Sequence, residues 1–528
     1  MTVQAERNAE FIPAIPRRSL LWAQPKAKIM NTKSIRPLFL ASFLMACTNE
    51  PTVTEWVSST IDNQWQLQQL DGISEIATSN TVIIDTAHTA QTMEGFGVCM
   101  SELGWLSLSE LSDADRDAVL DEMFVPQKGG NFTVVRTPIA ASDFATGYYS
   151  YNDTPLDFEM KNFSIAHDTV ALIPLIKAVQ QRLPKVKIWA SPWCPPSWMK
   201  KNQHYAMRST LAMEREFDAK KDKKTESTYM YHVVRNGLAE DKQGDEGADM
   251  FIVEDEYLKA YALYFKKYVQ AYRNEGIDIF GVMPQNEFNS AQIFPSCCWL
   301  SSTLARFIGD HLGPALEEEG VEVMFGTMER ADAAMVDTVL THPTASKYVK
   351  RVGYQWAGRK ALPDAYEKWY PKGIQLMMTE QECGNGKNDL AGAMHSWELM
   401  KHYLSYGVSI YEYWNISLMS DCVSHWGWRQ NSLVVVNEKD KTYRFTPEYY
   451  VLKHASHYVM PGAHRLVLDG TYDDVLAFIN PDKSIAVIVA NSTKDTTSVT
   501  ITLSNRNYTV MLKPLSMNTL TLNSDQSF

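Results

Sequence analysis

Two apolar runs of this chain end on a glutamate, and together they could supply a pair of reacting carboxyl groups. The first run, residues 277–287, closes with Asn286 and Glu287, and the second, residues 373–380, closes with Glu380 before a glycine-containing loop. Buried parallel strands have this pattern, and their last residues lie at the carboxyl end of a sheet. Two glutamates on separate barrel strands would face each other across one pocket, which is the arrangement that glycosidic bond hydrolysis requires.

The residues beside these glutamates indicate which carboxyl groups would react. Glu382 competes with Glu380 because both have the same strand parity, but Glu382 lies in the loop beyond the apolar run. Position at the strand end therefore favours Glu380. Asn286 places an amide beside Glu287, and an amide there can hydrogen-bond a sugar 2-hydroxyl group, a contact that strengthens in the transition state.

The segments around these runs alternate between strand-like and helix-like patterns. The strand candidates are residues 93–97, 132–138, 186–192, 280–287, 323–329, 352–356, 375–380 and 409–415. The amphipathic stretches between them include residues 169–183, 256–274, 302–319 and 391–406. Eight strands, each followed by a helix, predict an α/β fold, a (β/α)8 TIM barrel. A doubly wound sheet would need fewer strands and usually a glycine-rich phosphate loop, and the sequence has no such motif.

The pattern changes after Pro447. A last helix over residues 449–458 is followed by short strand-like runs from Arg465 onward. These runs predict an antiparallel β-sandwich, which strands before Met93 could complete, so that both chain ends form it. The predicted organisation is a signal and tether over residues 1–60, N-terminal sandwich strands over 61–92, the catalytic barrel over 93–462, and the C-terminal sandwich over 463–528.

The N-terminal region has the features of an export signal that begins at Met30. Lys33 and Arg36 precede an apolar run, residues 37–46, that is too short to span a bilayer. Cys47 then closes a stretch resembling a bacterial lipobox, and the alternative is an ordinary buried cysteine after a signal peptide. The polar residues 48–60 have the character of a tether. We expect an exported bacterial lipoprotein, periplasmic or on the outer-membrane surface, whose membrane contact is the lipid on Cys47.

Composition excludes several function classes. The 528 residues carry a formal charge of −12, which gives no basic excess for nucleic acid or for an anionic membrane. The 12 histidines avoid the predicted strand ends and the cysteine spacings match no zinc motif, so neither a metal nor a cofactor is expected. The cysteines are expected to be mostly free buried thiols. The 14 Trp and 25 Tyr fit core packing or platforms for sugar faces.

One connection, residues 205–249, is too long for an ordinary barrel loop. It contains a lysine-rich run at residues 220–224 and an acidic run at residues 240–247. Such charge runs favour a solvated surface insertion over a binding element. Because the segment follows the carboxyl end of a strand, its base should flank the pocket.

A series of short motifs resembles glycoside hydrolase family 30, the family of human lysosomal glucosylceramidase. The matching motifs are Glu94-Gly95-Phe96-Gly97, Arg136-Thr137-Pro138, Ser142-Asp143-Phe144, Ala190-Ser191-Pro192-Trp193, Gln285-Asn286-Glu287, Met378-Thr379-Glu380 and Tyr413-Trp414-Asn415. They run in family order across the whole predicted barrel. The resemblance implies a retaining β-glycosidase whose barrel is fused to a β-sandwich built from both chain ends.

The resemblance also implies roles for individual residues. Glu287 would be the acid/base and Glu380 the nucleophile, with Asn286 holding the 2-hydroxyl group. Arg136 would lie near the nucleophile, where a cation favours the ionised carboxylate. The remaining substrate contacts implied are Asp143, Trp193, Trp414 and Trp356. The alternatives for three of these residues are purely structural roles. Arg136 would form a salt bridge within the barrel, Trp193 would pack in the core, and Asp143 would cap a loop.

The expected substrate is a β-linked glycoside or oligosaccharide, either glucosylceramide-like or derived from β-glucan. The sequence 354–357 departs from the His-Trp-Tyr pattern of the glucosylceramidase branch, which leaves ceramide glycosides open as substrates. Alternatives within the family are an endo-β-1,6-glucanase, a β-fucosidase or a xylanase. An alternative of another class is an inactive surface glycan-binding lipoprotein, against which the presence of both glutamates argues.

Overall fold

A parallel barrel forms the centre of the molecule, which we describe from a computed structural model over residues 51–220, 234–381 and 384–523. Its strands are Gly95–Cys99, Val134–Ile139, Lys187–Pro192, Ile279–Val282, Glu322–Val323 with Phe325–Met328, Arg351–Gln355, Gln375–Gln381 and Val408–Asn415. Each pairs in parallel with the next, and the last pairs with the first. The predicted barrel is therefore confirmed, and all eight strand candidates overlap its strands.

The fifth barrel strand closes the ring although it is interrupted. Glu322–Val323 pairs with the fourth strand, while Phe325–Met328 pairs with the sixth, so one interrupted strand links both neighbours. A compact cluster of buried side chains lies apart from the main core and draws on six strands or strand ends, as expected for the filled interior of a barrel. Its members are Val134, Trp189, Met283, Met324, Met377 and Ile410.

Helices follow the strands, and their apolar faces belong to the large buried core around the barrel. Within the described ranges the α-helices are Glu102–Ser109, Asp113–Phe124, Leu172–Arg182, Thr210–Lys220, Asp255–Asn274, Ser301–Phe307, Gly313–Glu317, Ala333–Leu340, Ala345–Tyr348, Leu362–Lys368, Leu390–Ser405 and Pro447–Ser456. A π-helical segment, Ile308–Leu312, breaks the predicted helix 302–319 into pieces. Side-chain caps fix several starts: Asp389 accepts from the Gly392 amide, and Thr446 accepts from the Tyr449 amide.

Both chain ends build the second sheet, as predicted. In spatial order its strands are Gln66–Leu67, Val53–Ser59, Ser516–Asn523, Ser484–Asn491, Val475–Ile479, His464–Gly470, Thr81–Thr92, Thr497–Leu503 and Arg506–Leu512. The N-terminal strand Val53–Ser59 pairs antiparallel with the C-terminal strand Ser516–Asn523. One pair, Thr81–Thr92 with Thr497–Leu503, is parallel, so the sheet is mixed rather than wholly antiparallel.

The predicted tether over residues 48–60 is wrong for its second half. Residues Val53–Ser59 form a strand of the sandwich because Trp56 and Val57 are buried, at 7% and 2% exposure. The polar residues on both sides of Trp56 and Val57 made this short amphipathic strand resemble a tether in the sequence. The sandwich therefore begins before residue 61. Cys47 and the predicted signal segment lie outside the described residues.

A small third sheet, absent from the predictions, follows the last barrel strand. It consists of Ser417–Met419, Val434–Asn437 and Thr442–Phe445. Across the described ranges, no helix combines the length and apolar character needed to cross a membrane. The five cysteines within those ranges are all buried, and Cys194, Cys297, Cys298 and Cys422 are free thiols, in line with the prediction of mostly free buried thiols.

Candidate active site

The candidate site is organised around Arg136, whose side chain is fully buried and projects from the middle of the second barrel strand, Val134–Ile139. Its Nη1 donates to Glu380 Oε2 at 2.7 Å, and its Nη2 donates to Asn286 Oδ1 at 2.6 Å. Ser191 Oγ accepts a third bond from Nη2 at 2.9 Å. One guanidinium group thus links the fourth-strand loop to the seventh strand, because its donors have the fixed geometry of a planar fork.

Aromatic rings surround the same guanidinium group. Its Cζ atom lies 4.5 Å from the ring centroid of Trp193, 5.0 Å from that of Trp189 and 5.6 Å from that of Trp414. Trp193 and Trp414 also stack on each other, with centroids 5.1 Å apart. A cation held against ring faces in a desolvated place is stabilised. The structure therefore brings Arg136, Trp193 and Trp414 together, and the salt bridge of Arg136 with Glu380 is part of a buried network.

Glu380 lies near the end of the seventh strand, where the sequence placed it. Besides the ion pair with Arg136, its Oε2 accepts a hydrogen bond from Gln355 Nε2 at 3.0 Å. Gln355 ends the sixth strand and also donates to Asn286 Oδ1 and Thr327 Oγ1, each at 3.0 Å. Gln355 is thus a member of the site that the sequence had not assigned. Glu382, the competing carboxyl group, lies outside the described residues.

Glu287 lies beyond its strand rather than at its end, because the fourth strand ends at Val282. Its φ of 48° falls in the left-handed region, which residues other than glycine seldom adopt. The Glu287 amide donates to the Thr327 carbonyl at 3.0 Å, which helps to hold that conformation. Gln292 Nε2 donates to Glu287 Oε2 at 3.3 Å. The loop therefore fixes both the backbone and the carboxyl group of Glu287.

The electrostatic surroundings of the two glutamates differ. Burial raises the pKa of Glu287 well above its usual value, and the charges of Glu329, Glu380 and Asp143 raise it further. Burial also raises the pKa of Glu380, but there the Arg136 cation acts in the opposite direction. The expected effect of Arg136 is present, although burial outweighs it. The arrangement holds the proton on Glu287 more firmly than on Glu380, as an acid and a nucleophile require.

Asn286 has a fixed orientation in this network. Its Oδ1 accepts from Arg136, from Gln355 and, at 2.9 Å, from Thr327 Oγ1. Three donors on the oxygen identify the other side of the amide, Nδ2, as the group that is available to a sugar hydroxyl. Thr327, on the fifth strand, was another member that sequence reasoning missed.

Asp143 is a buried carboxyl group of the same site, at 5% exposure. Burial raises its pKa well above the usual value, and the nearby charge of Glu380 raises it further. Its Oδ1 has no hydrogen-bond partner within the described ranges. A buried carboxyl oxygen of this kind is costly unless something bonds to it, and a substrate hydroxyl group would do so.

Trp356 begins the short 3-10 helix Trp356–Lys360 directly after Gln355, and it is half-buried. Its position is at the barrel's carboxyl face, and its contact with substrate stays a prediction. In the described part of the chain, no group of three or more His, Cys, Asp or Glu side chains could hold a metal ion.

Comparison with known proteins gives matches over both domains. The family model described as the glycosyl hydrolase family 30 TIM-barrel domain matches residues 93–240 and 236–459. The model of the glycosyl hydrolase family 30 beta sandwich domain matches residues 462–520. Together these matches cover most of the chain.

Individual relatives match over similar lengths. Lysosomal acid glucosylceramidase of Mus musculus is 26% identical over 438 residues, covering 78% of this chain and 77% of the relative. Endo-1,6-beta-D-glucanase neg1 of Aspergillus fumigatus is 25% identical over 435 residues, covering 78% of this chain and 81% of the relative. A solved endo-beta1,6-glucanase aligns with a TM-score of 0.72 and 22% identity over 90% of this chain and 100% of its own, a likeness of fold.

Proposed function

Because this chain belongs to glycosyl hydrolase family 30, we propose that it is a retaining β-glycosidase that hydrolyses β-glucosidic bonds by double displacement. The observation that carries the proposal is the double contact of Arg136, which donates to Glu380 and to Asn286, the residue next to Glu287. This double contact supports the proposal that the carboxyl groups of Glu287 and Glu380 lie close enough together to act on one bond. Retaining enzymes use such a pair about 5–5.5 Å apart.

In the proposed first step, Glu380 attacks the anomeric carbon while Glu287 gives its proton to the glycosidic oxygen. The bond to the leaving group breaks, and a covalent glycosyl-enzyme forms on Glu380. Arg136 and Gln355 orient the Glu380 carboxylate through bonds of 2.7 and 3.0 Å. Asn286, fixed by its three donors, would bind the 2-hydroxyl group through Nδ2.

In the second step, Glu287 takes a proton from water, and the resulting hydroxide equivalent displaces the sugar from Glu380. The change of role follows from the electrostatics. The negative charge of Glu380 raises the pKa of Glu287, and that charge disappears once Glu380 carries the sugar. Glu287 can then ionise and act as a base.

For the substrate, we propose a β-glucoside that is either glucosylceramide-like or derived from β-glucan. The relatives named glucosylceramidase and endo-1,6-glucanase match this chain almost equally, at 26% and 25% identity. Both names concern glucose, which supports the identity of the sugar more strongly than that of the leaving group. Endo-β-1,6-glucanase, β-fucosidase and xylanase action are alternatives at the same site.

The test is a substrate panel for the purified protein: aryl β-glucoside, β-fucoside and β-xyloside, β-1,6-glucan, and glucosylceramide. We expect the β-glucoside to be hydrolysed fastest, with the β-anomer of the product appearing first by NMR. First appearance of the α-anomer would contradict double displacement. Binding to glycans without turnover of any substrate would instead support the inactive surface protein.

We also propose that the protein is an exported lipoprotein anchored through Cys47. The support is the sequence alone: Lys33 and Arg36, the apolar run and the cysteine. Cys47→Ser should shift the protein from the membrane fraction to the soluble fraction of its own host, as followed by immunoblot. Anchoring takes more than one acyl chain, so the intact protein should carry a multiply acylated N-terminus by mass spectrometry. A wild-type protein that is already wholly soluble would contradict this proposal.

A further inference from the structure

The inserted segment, which the structure describes over residues 205–220 and 234–249, contacts the loop that carries Glu287 at several points. The Met207 and Arg208 amides both donate to the Gln292 carbonyl, at 3.0 and 2.9 Å. Asn236 Nδ2 donates to the Ile293 carbonyl at 2.9 Å. Since the side chain of Gln292 is itself bonded to Glu287, the insertion lies one residue away from the proposed proton donor.

Glu246, in the acidic run of the insertion, makes a second kind of contact. Its Oε1 accepts from the Ala291 amide at 3.0 Å and from Arg330 Nη2 at 2.7 Å. Arg330 in turn lies 3.2 Å from Glu329 Oε2 through Nη1. The Arg330 cation is therefore shared between a carboxylate of the insertion and a buried carboxyl group of the fifth barrel strand's end.

The charge of this shared cation acts on the Glu287 carboxyl group. The charged and titratable groups around the Glu287 carboxyl are Glu329, Glu380, Asp143, Arg330 and the thiol of Cys298. Arg330 is the cation among the groups that shift the pKa of Glu287, and it lowers that pKa while the three acids raise it. The net field at the proton donor thus depends on how far the charge of Arg330 is balanced by its other partners.

We propose that the insertion is a positioning element for the proton donor, and that Glu246 acts within it by pairing with Arg330 and balancing the charge that this cation exerts on Glu287. The inference rests on the proposed function, in which Glu287 protonates the leaving group. Because the acid must touch the glycosidic oxygen, the insertion also borders the leaving-group side of the site. The insertion is thus assigned a role at the site beyond that of a solvated surface loop.

The decisive variant is Glu246→Gln, which keeps an oxygen for the Ala291 amide but removes the negative charge. The side chain is 47% exposed, so the change is compatible with folding. Because the negative charge of Glu246 would no longer offset the positive charge of Arg330, Glu287 should ionise more readily. For a substrate with a poor leaving group, the basic limb of kcat/KM should move to lower pH by about half a unit. At pH values above this limb, the shift corresponds to a loss of about threefold in kcat/KM. An activated aryl glycoside, which needs little proton donation, should keep its kcat/KM.

Arg330→Gln supplies the opposite test. Loss of the cation should move the same limb to higher pH, and Arg330→Lys should restore the wild-type limb. Adding Glu246→Gln to Arg330→Gln should then cause no further shift, because Glu246 acts through Arg330. Glu240→Gln is the matched control: it removes the same charge from the same insertion, where Glu240 pairs with Arg215.

Opposite shifts in the two single variants, with an unmoved control, would support the proposal, since general damage to the fold cannot move a limb in both directions. The proposal is overturned if the wild type turns over substrate but Glu246→Gln has its basic limb of kcat/KM at the same pH as the wild type. It is also overturned if both single variants shift alike, or if Glu240→Gln shifts as far. A wild type without turnover of any β-glycoside would overturn the proposed function, and this inference with it.

Discussion

At the scale of single residues, Glu380 and Glu287 are both buried carboxyl groups but have different partners. Glu380 is held by Arg136 and Gln355, whereas Glu287 lies among the acids Glu329 and Asp143. If Glu380 is the nucleophile, Glu380→Ala should abolish turnover of every substrate. Added azide should restore part of the activity on aryl glycosides and give a glycosyl azide of inverted configuration by NMR, because azide attacks from the side that the carboxylate has vacated.

Glu287→Ala should fail in a different way. Substrates with poor leaving groups should lose about 10²–10⁴-fold in kcat, while activated aryl glycosides should still form the glycosyl-enzyme. Azide should then give a product of retained configuration. Glu382→Ala serves as the matched control and should leave the chemistry largely intact. If Glu382→Ala is inactive and Glu380→Ala is active, the nucleophile has been placed two residues too early.

Glu412 is a third buried carboxyl group, inside the barrel. Trp189 Nε1 donates to its Oε2 at 2.7 Å, and burial raises its pKa to about 8. The folded protein therefore keeps a proton on Glu412 between about pH 4.5 and pH 8, where the unfolded chain has released it. Because the folded state binds more protons, this residue lowers the stability progressively as the pH rises through that range.

Glu412→Gln, which mimics the protonated form, should remove that loss. We expect little change in the unfolding temperature near pH 4 and a gain at pH 8, corresponding to a few kcal/mol at most. Thermal unfolding from pH 4 to pH 9 measures it, with the exposed Glu75→Gln as the control. An equal gain at both ends of the pH range would show that the effect does not arise from ionisation.

The residues that the sequence could predict are those whose type is unusual in its place. Glu287 and Glu380 follow apolar runs, and their identity as a pair needed only the barrel hypothesis and the motifs. Gln355 and Thr327 were missed because polar residues at strand ends are common. Their roles depend on which strands are neighbours in space, and no local sequence pattern predicts how strands pair across the sheet.

At the scale of elements, the barrel was predictable because buried parallel strands have long apolar runs and helices have a different period. The interruption of the fifth strand was not, since it depends on how that strand bridges its two neighbours. The sequence predicted that the base of the insertion flanks the pocket, but the individual contacts of the insertion were missed for a similar reason. Its charge runs indicate solvation, whereas Glu246 and Asn236 contact the Glu287 loop through single hydrogen bonds that composition cannot reveal.

Gly97 shows how closely the first two barrel strands approach. A Cβ atom at Gly97 would lie 2.0 Å from the Val134 carbonyl oxygen, and neither backbone can move without disturbing the sheet. Gly97→Ala should destabilise the protein by about 3 kcal/mol, the upper end of the usual cost of overpacking, or prevent folding. Denaturant unfolding measures the loss. Gly72→Ala is the control, because nothing lies within 4 Å of its Cβ position, and it should be close to neutral. Equal stability of the two variants would contradict the close approach.

At the scale of the whole molecule, the sandwich has a core of its own and also shares the core of the barrel. Phe478 and Ile488 belong to the same buried cluster as the barrel residues, whereas Val487 and Leu520 belong to the sandwich. Buried His454, on the last barrel helix, contacts Ser59 Oγ at 2.8 Å and Thr519 Oγ1 at 2.9 Å. Burial lowers its pKa to about 3, so the ring is neutral when it joins the two chain ends to the barrel.

This arrangement predicts that the barrel does not fold well alone. A chain ending after Gly462 would lose Ser516–Asn523, the strand that pairs with Val53–Ser59, and would uncover the apolar surface against which Phe478 packs. We expect it to be insoluble or to unfold at a much lower temperature, because a large apolar face would meet water.

Removal of residues 51–60 from the other end should have a similar effect, since it unpairs the same strand. A chain spanning residues 51–523 keeps both partners and is the control, which should retain the wild-type unfolding temperature. Solubility, thermal unfolding and turnover of an aryl β-glycoside measure the outcome. A soluble, fully active chain ending at Gly462 would show that the chain ends are joined to the barrel without supporting it.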